Sequence, residues 1–235
     1  MRKSLALLAA CGLLILSAGA GAAEEPPAWP GRLGAYVFEV TRDGDPIGTQ
    51  TVTLKQDGDT LTVTTESAIA VRMLGITVYR MHQVLTDVYR GNRLIEVAAE
   101  TKDPDGFRAG KLTRDGDRWT GKLGKQNRSF ECRCDVSSTM FQLAVLQGTA
   151  MIEASPLELR AVRIEDKGTE TLDLPEGRVE TRHFAVKGGV EREVWYDSAG
   201  NLVSARQLGS DGSLIQQNLL SDPQASREAG SAASD

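Results

Sequence analysis

Apolar and polar residues alternate with a period of two along most of the chain. Tyr36, Phe38 and Val40 interleave with Val37, Glu39 and Thr41. In TQTVTLK (Thr49–Lys55), Thr49, Thr51 and Thr53 fall on one side and Val52 and Leu54 on the other. TLTVTTESAIAV (Thr60–Val71) continues the pattern. A period of two is the spacing of a β-strand, whose successive side chains point to opposite faces. In GITVYRMHQVLTDVY (Gly75–Tyr89), Ile76 and Val78 face one way while Tyr79, Met81 and Leu85 face the other. Apolar residues on both sides predict a strand covered twice, or one facing a lined cavity. Further strands are predicted in RLIEVAAET, RAGKLTR, RWTGKL, RSFECRC, RVETRHFAV, EREVWYD, LVSARQLG and SLIQQNL.

Turn chemistry separates these segments. Asp-Gly recurs at Asp43-Gly44, Asp57-Gly58, Asp105-Gly106, Asp115-Gly116 and Asp211-Gly212, and RGNR, KGG and DSAGN add turns of the same kind. Tight hairpin turns need positive φ, which glycine accepts without steric cost. Short strands at regular spacing predict a mainly β protein, a curved antiparallel sheet or incomplete β-barrel of many hairpins. One segment departs from the pattern. DVSSTMFQLAVLQG (Asp135–Gly148) opens with the helix-capping residues Asp135, Ser137 and Ser138 and closes on Gly148. It predicts a short helix near 137–147, apolar nearly all round and therefore buried against the concave face of the sheet. A strand over Met140–Leu146 is the alternative.

The ends of the chain read differently. Arg2 and Lys3 precede an apolar run from Leu5 to Leu16, and small residues follow to Ala23. That order is a secretory signal peptide over residues 1–23, cut after Ala22 or Ala23. Leu8-Ala9-Ala10-Cys11 also resembles a lipoprotein box, so lipidation at Cys11 is a minor alternative. Residues 24–33 form a Pro-rich linker, 34–221 a single β-rich domain and 222–235 a small, polar, disordered tail. The expected location is the periplasm of a Gram-negative envelope. No later apolar run is long enough to span a bilayer, so the cleaved protein is not expected to be integral to the membrane.

Composition narrows the function. The chain has 235 residues, 40% apolar and 25% charged, with a net charge of −5 and no basic block. Nucleic-acid binding usually needs a clustered basic stripe and is excluded on that ground. No G-x-S-x-G, H-E-x-x-H or phosphate-cradling G-x-x-x-x-G-K-[ST] pattern occurs. The paired carboxylates of the Asp-Gly motifs read as solvated turn formers. An enzyme is therefore not expected, and no cofactor is implied.

Two constellations remain. Cys132 and Cys134 are the only cysteines beyond the signal peptide, and His82 and His183 are the only histidines. Together they would make a Cys₂His₂ set for zinc or copper, although the histidines lack ligand spacing. The cysteines alone could act in redox chemistry, with Arg133 between them favouring a thiolate. On a regular strand, residues two apart lie about 6.6 Å from one another. A Cys132–Cys134 disulfide therefore requires the chain to turn. The second constellation is apolar: Tyr79, Met81, Phe141, Leu143 and Trp195 are candidates for the lining of a ligand cavity.

YVFEVTRDGDPIG (Tyr36–Gly48), LGITVYR (Leu74–Arg80) and VWYDSAGNLV (Val194–Val203), followed by Asp211-Gly212, resemble a family of uncharacterised proteobacterial periplasmic proteins catalogued as a domain of unknown function. The resemblance covers roughly Gly34–Leu220 and rests on turns and strands. It implies a secreted β-rich shell, similar in general look to lipoprotein-carrier and lipocalin-like folds, and supplies no catalytic residues. The function expected is a non-enzymatic periplasmic protein that binds or carries an apolar small molecule or lipid, or assists an envelope protein. A redox or metal-handling role for Cys132 and Cys134 is the alternative.

Overall fold

A computed structural model describes residues 32–141, 148–175 and 177–223. The segment expected to be a signal peptide, most of the expected Pro-rich linker, Leu143 and nearly all of the expected polar tail lie outside them.

Among the described residues fourteen strands follow one another: β1 (Gly34–Arg42), β2 (Asp45–Asp57), β3 (Thr60–Met73), β4 (Ile76–Arg90), β5 (Arg93–Asp103), β6 (Gly106–Asp115), β7 (Arg118–Leu123), β8 (Gln126–Glu131), β9 (Ala150–Glu153), β10 (Glu158–Leu174), β11 (Gly177–Gly188), β12 (Arg192–Tyr196), β13 (Leu202–Leu208) and β14 (Leu214–Ser221). They form one antiparallel sheet in the order β8-β7-β6-β5-β4-β3-β2-β1-β14-β13-β12-β11-β10-β9. The expected curved, incompletely closed sheet is what forms. Each Asp-Gly motif lies at a hairpin, and Gly58 and Gly116 take the left-handed φ values of 57° and 60° that such turns require.

First and last strands meet: β1 pairs with β14, with Val40 opposite Gln217. That pairing fuses two runs of hairpins into one sheet. Register shifts at Val40/Thr41, Val71/Arg72 and Val88/Tyr89 are bulges, which increase local twist and curl the sheet. The outer strands approach without pairing. Arg128 Nη2 lies 3.7 Å from Glu158 Oε1. Gly110 faces Leu157 so closely that a Cβ at Gly110 would fall 2.6 Å from Leu157 Cδ1, which excludes any larger side chain there without rearrangement.

Because neighbouring strands are antiparallel, the turns divide between two ends. The hairpins around 58, 91, 116 and 198 mark the lower end; those around 43, 74, 104 and 211 mark the upper end. Between β8 and β9 the chain crosses the concave face. Ile152 N donates to Val136 O at 2.9 Å and Ser138 N donates to Ile152 O at 2.8 Å, so this segment pairs in parallel with β9. Val136, Met140 and Phe141 enter the core beside Tyr36, Trp119 and Tyr196, all 6% exposed or less. Burying side chains of this size contributes about 1.5–3 kcal/mol each.

The helix expected near 137–147 does not begin as predicted. Ser137 forms a β-bridge, Ser138 and Thr139 form a turn, and Met140 has φ of 48°. Residues 142–147 lie outside the described positions. The predicted caps have other partners: Asp135 Oδ1 accepts from Arg114 and Ser137 Oγ donates to Asp87. Ser137 Oγ also accepts from Thr139 N at 3.2 Å, but within this turn, and Ser138 Oγ accepts from Ala154 N at 3.0 Å, next to β9.

Candidate functional site

The lower half of the concave face is filled by side chains, but the upper half is not. A half-open cleft of about 810 Å³ lies there. On one wall, β3 and β4 contribute Ile69, Val71, Met81 and Leu85; on the other, Leu208 and Ile215 come from β13 and β14. Ile69 and Met81 are cross-strand partners, so a continuous apolar surface runs across the β3–β4 pair. The β3–β4 hairpin carries this surface out of the mouth. At its tip Leu74 is fully exposed, with Met73 and Ile76 mostly exposed beside it.

Polar groups lie deeper along the same faces. Gln50 Oε1 accepts from Ser67 Oγ and from Gln217 Nε2, both at 3.2 Å, tying β2, β3 and β14 together. Gln83 Nε2 donates to Thr101 Oγ1 at 3.0 Å. The buried Thr65 Oγ1 has no hydrogen-bond partner among the described residues.

The crossing segment forms the floor. Asp87, fully buried in β4, accepts at Oδ2 from Ser137 Oγ and, at 2.6 Å, from Thr139 Oγ1. Its Oδ1 is buried with no partner among the described residues. Burial pushes the Asp87 carboxyl up to about 6, against the two hydroxyl hydrogen bonds that favour the ionised form. Asp87 therefore clamps the turn at 137–139 in place from below.

Arg192, at the start of β12, holds the same turn from the side. Its Nη1 donates to Ser138 O at 2.9 Å, and Nε donates to Gln207 Oε1 at 2.8 Å, with Nη2 donating to the same oxygen. It makes no ion pair among the described residues, although it lines the cleft. Burial lowers its pKa from the ordinary guanidinium value. An arginine nevertheless keeps its charge in a protein.

Of the residues expected to touch a ligand, the structure brings Tyr79 and Met81 to the cleft. Phe141 is 2% exposed and lies in the packed core, its ring 4.9 Å from that of Tyr36 in an edge arrangement. Leu143 is outside the described residues. Trp195 is on the opposite, convex face: its neighbours Val194 and Tyr196 take the inward positions. There it stacks on His183 at 4.3 Å and lies beneath Arg206 at 5.0 Å, with Nε1 donating to Glu170. These groups cover the indole, which is 3% exposed.

The four expected metal or redox residues do not converge. Cys132 and Cys134 form a disulfide at the lower end, with Cα atoms 5.2 Å apart. The chain has left β8 by then, which supplies the turn that the bond requires. Arg133 points away to Asp117, with Nε 2.8 Å from Oδ2, so its charge is matched there. His82 is exposed on the convex face, its Nε2 2.8 Å from Glu66 Oε1. His183 lies under Trp195, and burial lowers its pKa while Glu170 and Glu193 oppose that shift. Among the described residues, no group of three or more His, Cys, Asp or Glu side chains is placed to hold a metal.

Sequence reading passed over Asp87 and Arg192. A signal existed for both. Leu85, Asp87 and Tyr89 share the inward phase of β4, and Arg192, Val194 and Tyr196 share that of β12. A charge in the apolar phase of a strand must find compensation inside the shell.

Fold and cleft define a class: an open, curled β-shell, packed at one end and hollow at the other. The chain belongs to the family described as Domain of unknown function (DUF6134), whose match covers residues 38–219. It is similar in structure to a beta-barrel-like protein of domain of unknown function DUF1849 from Brucella abortus. The TM-score is 0.59 at 10% sequence identity, over 80% of this chain and 98% of that one. At that identity the likeness concerns the fold alone. No curated protein matches the chain.

Proposed function

We propose that this protein is a non-enzymatic binder or carrier of an apolar ligand, held in the upper cleft. The observation that carries the reading is the cleft of about 810 Å³, in which apolar side chains of β3 and β4, with Leu208 and Ile215, stand among polar ones such as Gln50, Gln83 and Gln217. Ligand pockets commonly fall between about 300 and 1,000 Å³ and combine apolar walls with a few polar anchors. Burial of the ligand against these walls supplies the affinity, at roughly 25 cal/mol per Å² of apolar surface. The exposed hairpin tip at Met73, Leu74 and Ile76 offers an apolar path to the mouth. The signal-peptide pattern of residues 1–23 supports a periplasmic location.

The test is binding of a neutral solvatochromic dye to the purified full chain, with organic extraction and mass spectrometry for a resident guest. Ile69→Trp places bulk in the cleft wall without adding charge. We expect it to weaken dye binding by about tenfold or more, equivalent to about 1.4 kcal/mol. Absence of dye binding together with empty extracts would exclude the reading.

A further inference from the structure

We infer that the ligand of the cleft is a single-chain amphiphile with a carboxylate head, and that Arg192 is the residue that receives the head. This inference rests on the ligand-binding reading of the cleft and adds the chemistry of the guest.

Arginine has five N–H donors. Three are committed here: Nε and one Nη2 hydrogen to Gln207, and one Nη1 hydrogen to Ser138 O. Each terminal nitrogen keeps one N–H without a hydrogen bond among the described residues. The neighbouring acids have cations of their own. Glu153 accepts from Arg160 Nε at 2.6 Å, and Asp211 pairs with Arg42. Glu191, the remaining carboxylate on the lining, is exposed at the turn before β12.

The cleft thus holds a cation that is fixed in place and has no ion-pair partner among the described residues, with Glu153 acting on it only at longer range. The two uncommitted N–H groups, one from each terminal nitrogen, are charged donors for an anionic oxygen, and a carboxylate is a usual partner of a guanidinium. Gln207 and Ser138 hold the group in one orientation, so little rotamer freedom is lost when an anion arrives. From Arg192 the apolar walls at Ile69, Met81 and Leu85 provide cover for a chain. A cationic anchor in a cleft with apolar walls at β3 and β4 selects a guest with both characters, since a neutral guest would leave the guanidinium covered and unpaired.

The experiment measures displacement of a neutral dye from the full chain by dodecanoic acid and by dodecanol, at a pH where the acid is ionised. The acid is expected to bind about 10- to 100-fold more tightly than the alcohol. Arg192→Gln should remove most of that preference while leaving the alcohol's affinity within about threefold, and Arg192→Lys should restore part of it. Circular dichroism of each variant checks that the shell remains folded. Equal binding of acid and alcohol to the wild-type protein would overturn the assignment of the head while leaving an apolar cleft in place. Equal weakening of both by Arg192→Gln in a folded variant would overturn it as well. If neither amphiphile displaces the dye, or the dye itself does not bind, the inference falls together with the proposed function.

Discussion

The lower and upper halves of the concave face are made from the same strands in the same phase, yet one is a core and the other a cleft. In β3, Leu61 and Val63 are 1% exposed, while Ile69 and Val71 further up the same face line open space. In β4, Tyr89 is buried below and Met81 borders the cleft above. What differs is the crossing segment. Val136, Met140 and Phe141 fill the lower half, and the turn at Ser138 and Thr139 ends that filling. Alternation along a strand thus decides which face is inward. It does not decide what meets that face.

The largest effect that tests this contrast belongs to the lower half. Trp119→Ala removes a fully buried side chain and should lower unfolding free energy by about 3–5 kcal/mol in denaturant melts. A loss under about 1 kcal/mol would mean that the lower half is not the packed core described.

The floor between the halves comes next. Asp87 has a folded pKa near 6, above the ordinary value of 3.8. The folded state therefore holds its proton more tightly than the unfolded chain does. The stabilisation is fully present below about pH 4 and is lost as pH rises through 6. Relative to Asp87→Asn, the wild-type protein should lose on the order of 2–3 kcal/mol across that window. Parallel pH profiles of the two proteins would show instead that Asp87 does not titrate there.

Removing the Cys132–Cys134 bond should matter less. Closing a loop of about three residues contributes about 1.6 kcal/mol by chain entropy, before any strain is subtracted. The Cys132→Ser, Cys134→Ser double variant should melt within that margin of the parent. A loss well beyond it would give the disulfide a structural weight that its short loop does not predict.

The smallest effect on stability is expected in the cleft. Met81→Ala, at a side chain that already borders open space, should cost less than about 1 kcal/mol, because little packing is removed. Its effect should appear as weaker dye binding. A core-sized loss of stability there would erase the distinction between the two halves.

Much of the fold was legible in the residues. The period of two located twelve of the fourteen described strands but not β9 or the long β10, and every Asp-Gly motif stands at a hairpin. Tyr79 and Met81 were placed on a cavity wall because their strand is apolar on both faces, which is the mark of a β-surface with an unusual neighbour. Trp195 was not placeable by the same means. Its side of β12 is set by the phase of Val194 and Tyr196, and its cover of His183, Glu170 and Arg206 comes from three other strands.

The sequence by itself determined most of the strands, the Asp-Gly turns and the mainly β class, because these depend on local spacing and on the φ preferences of Gly and Asp. The tertiary structure alone decided where the sheet is hollow, since that depends on how far one irregular segment reaches across a curved surface. It also decided that Asp87 and Arg192, 105 positions apart in the chain, hold the same turn from two sides. Charges buried in a shell must be satisfied by whatever the fold brings near them, and no local pattern specifies those neighbours.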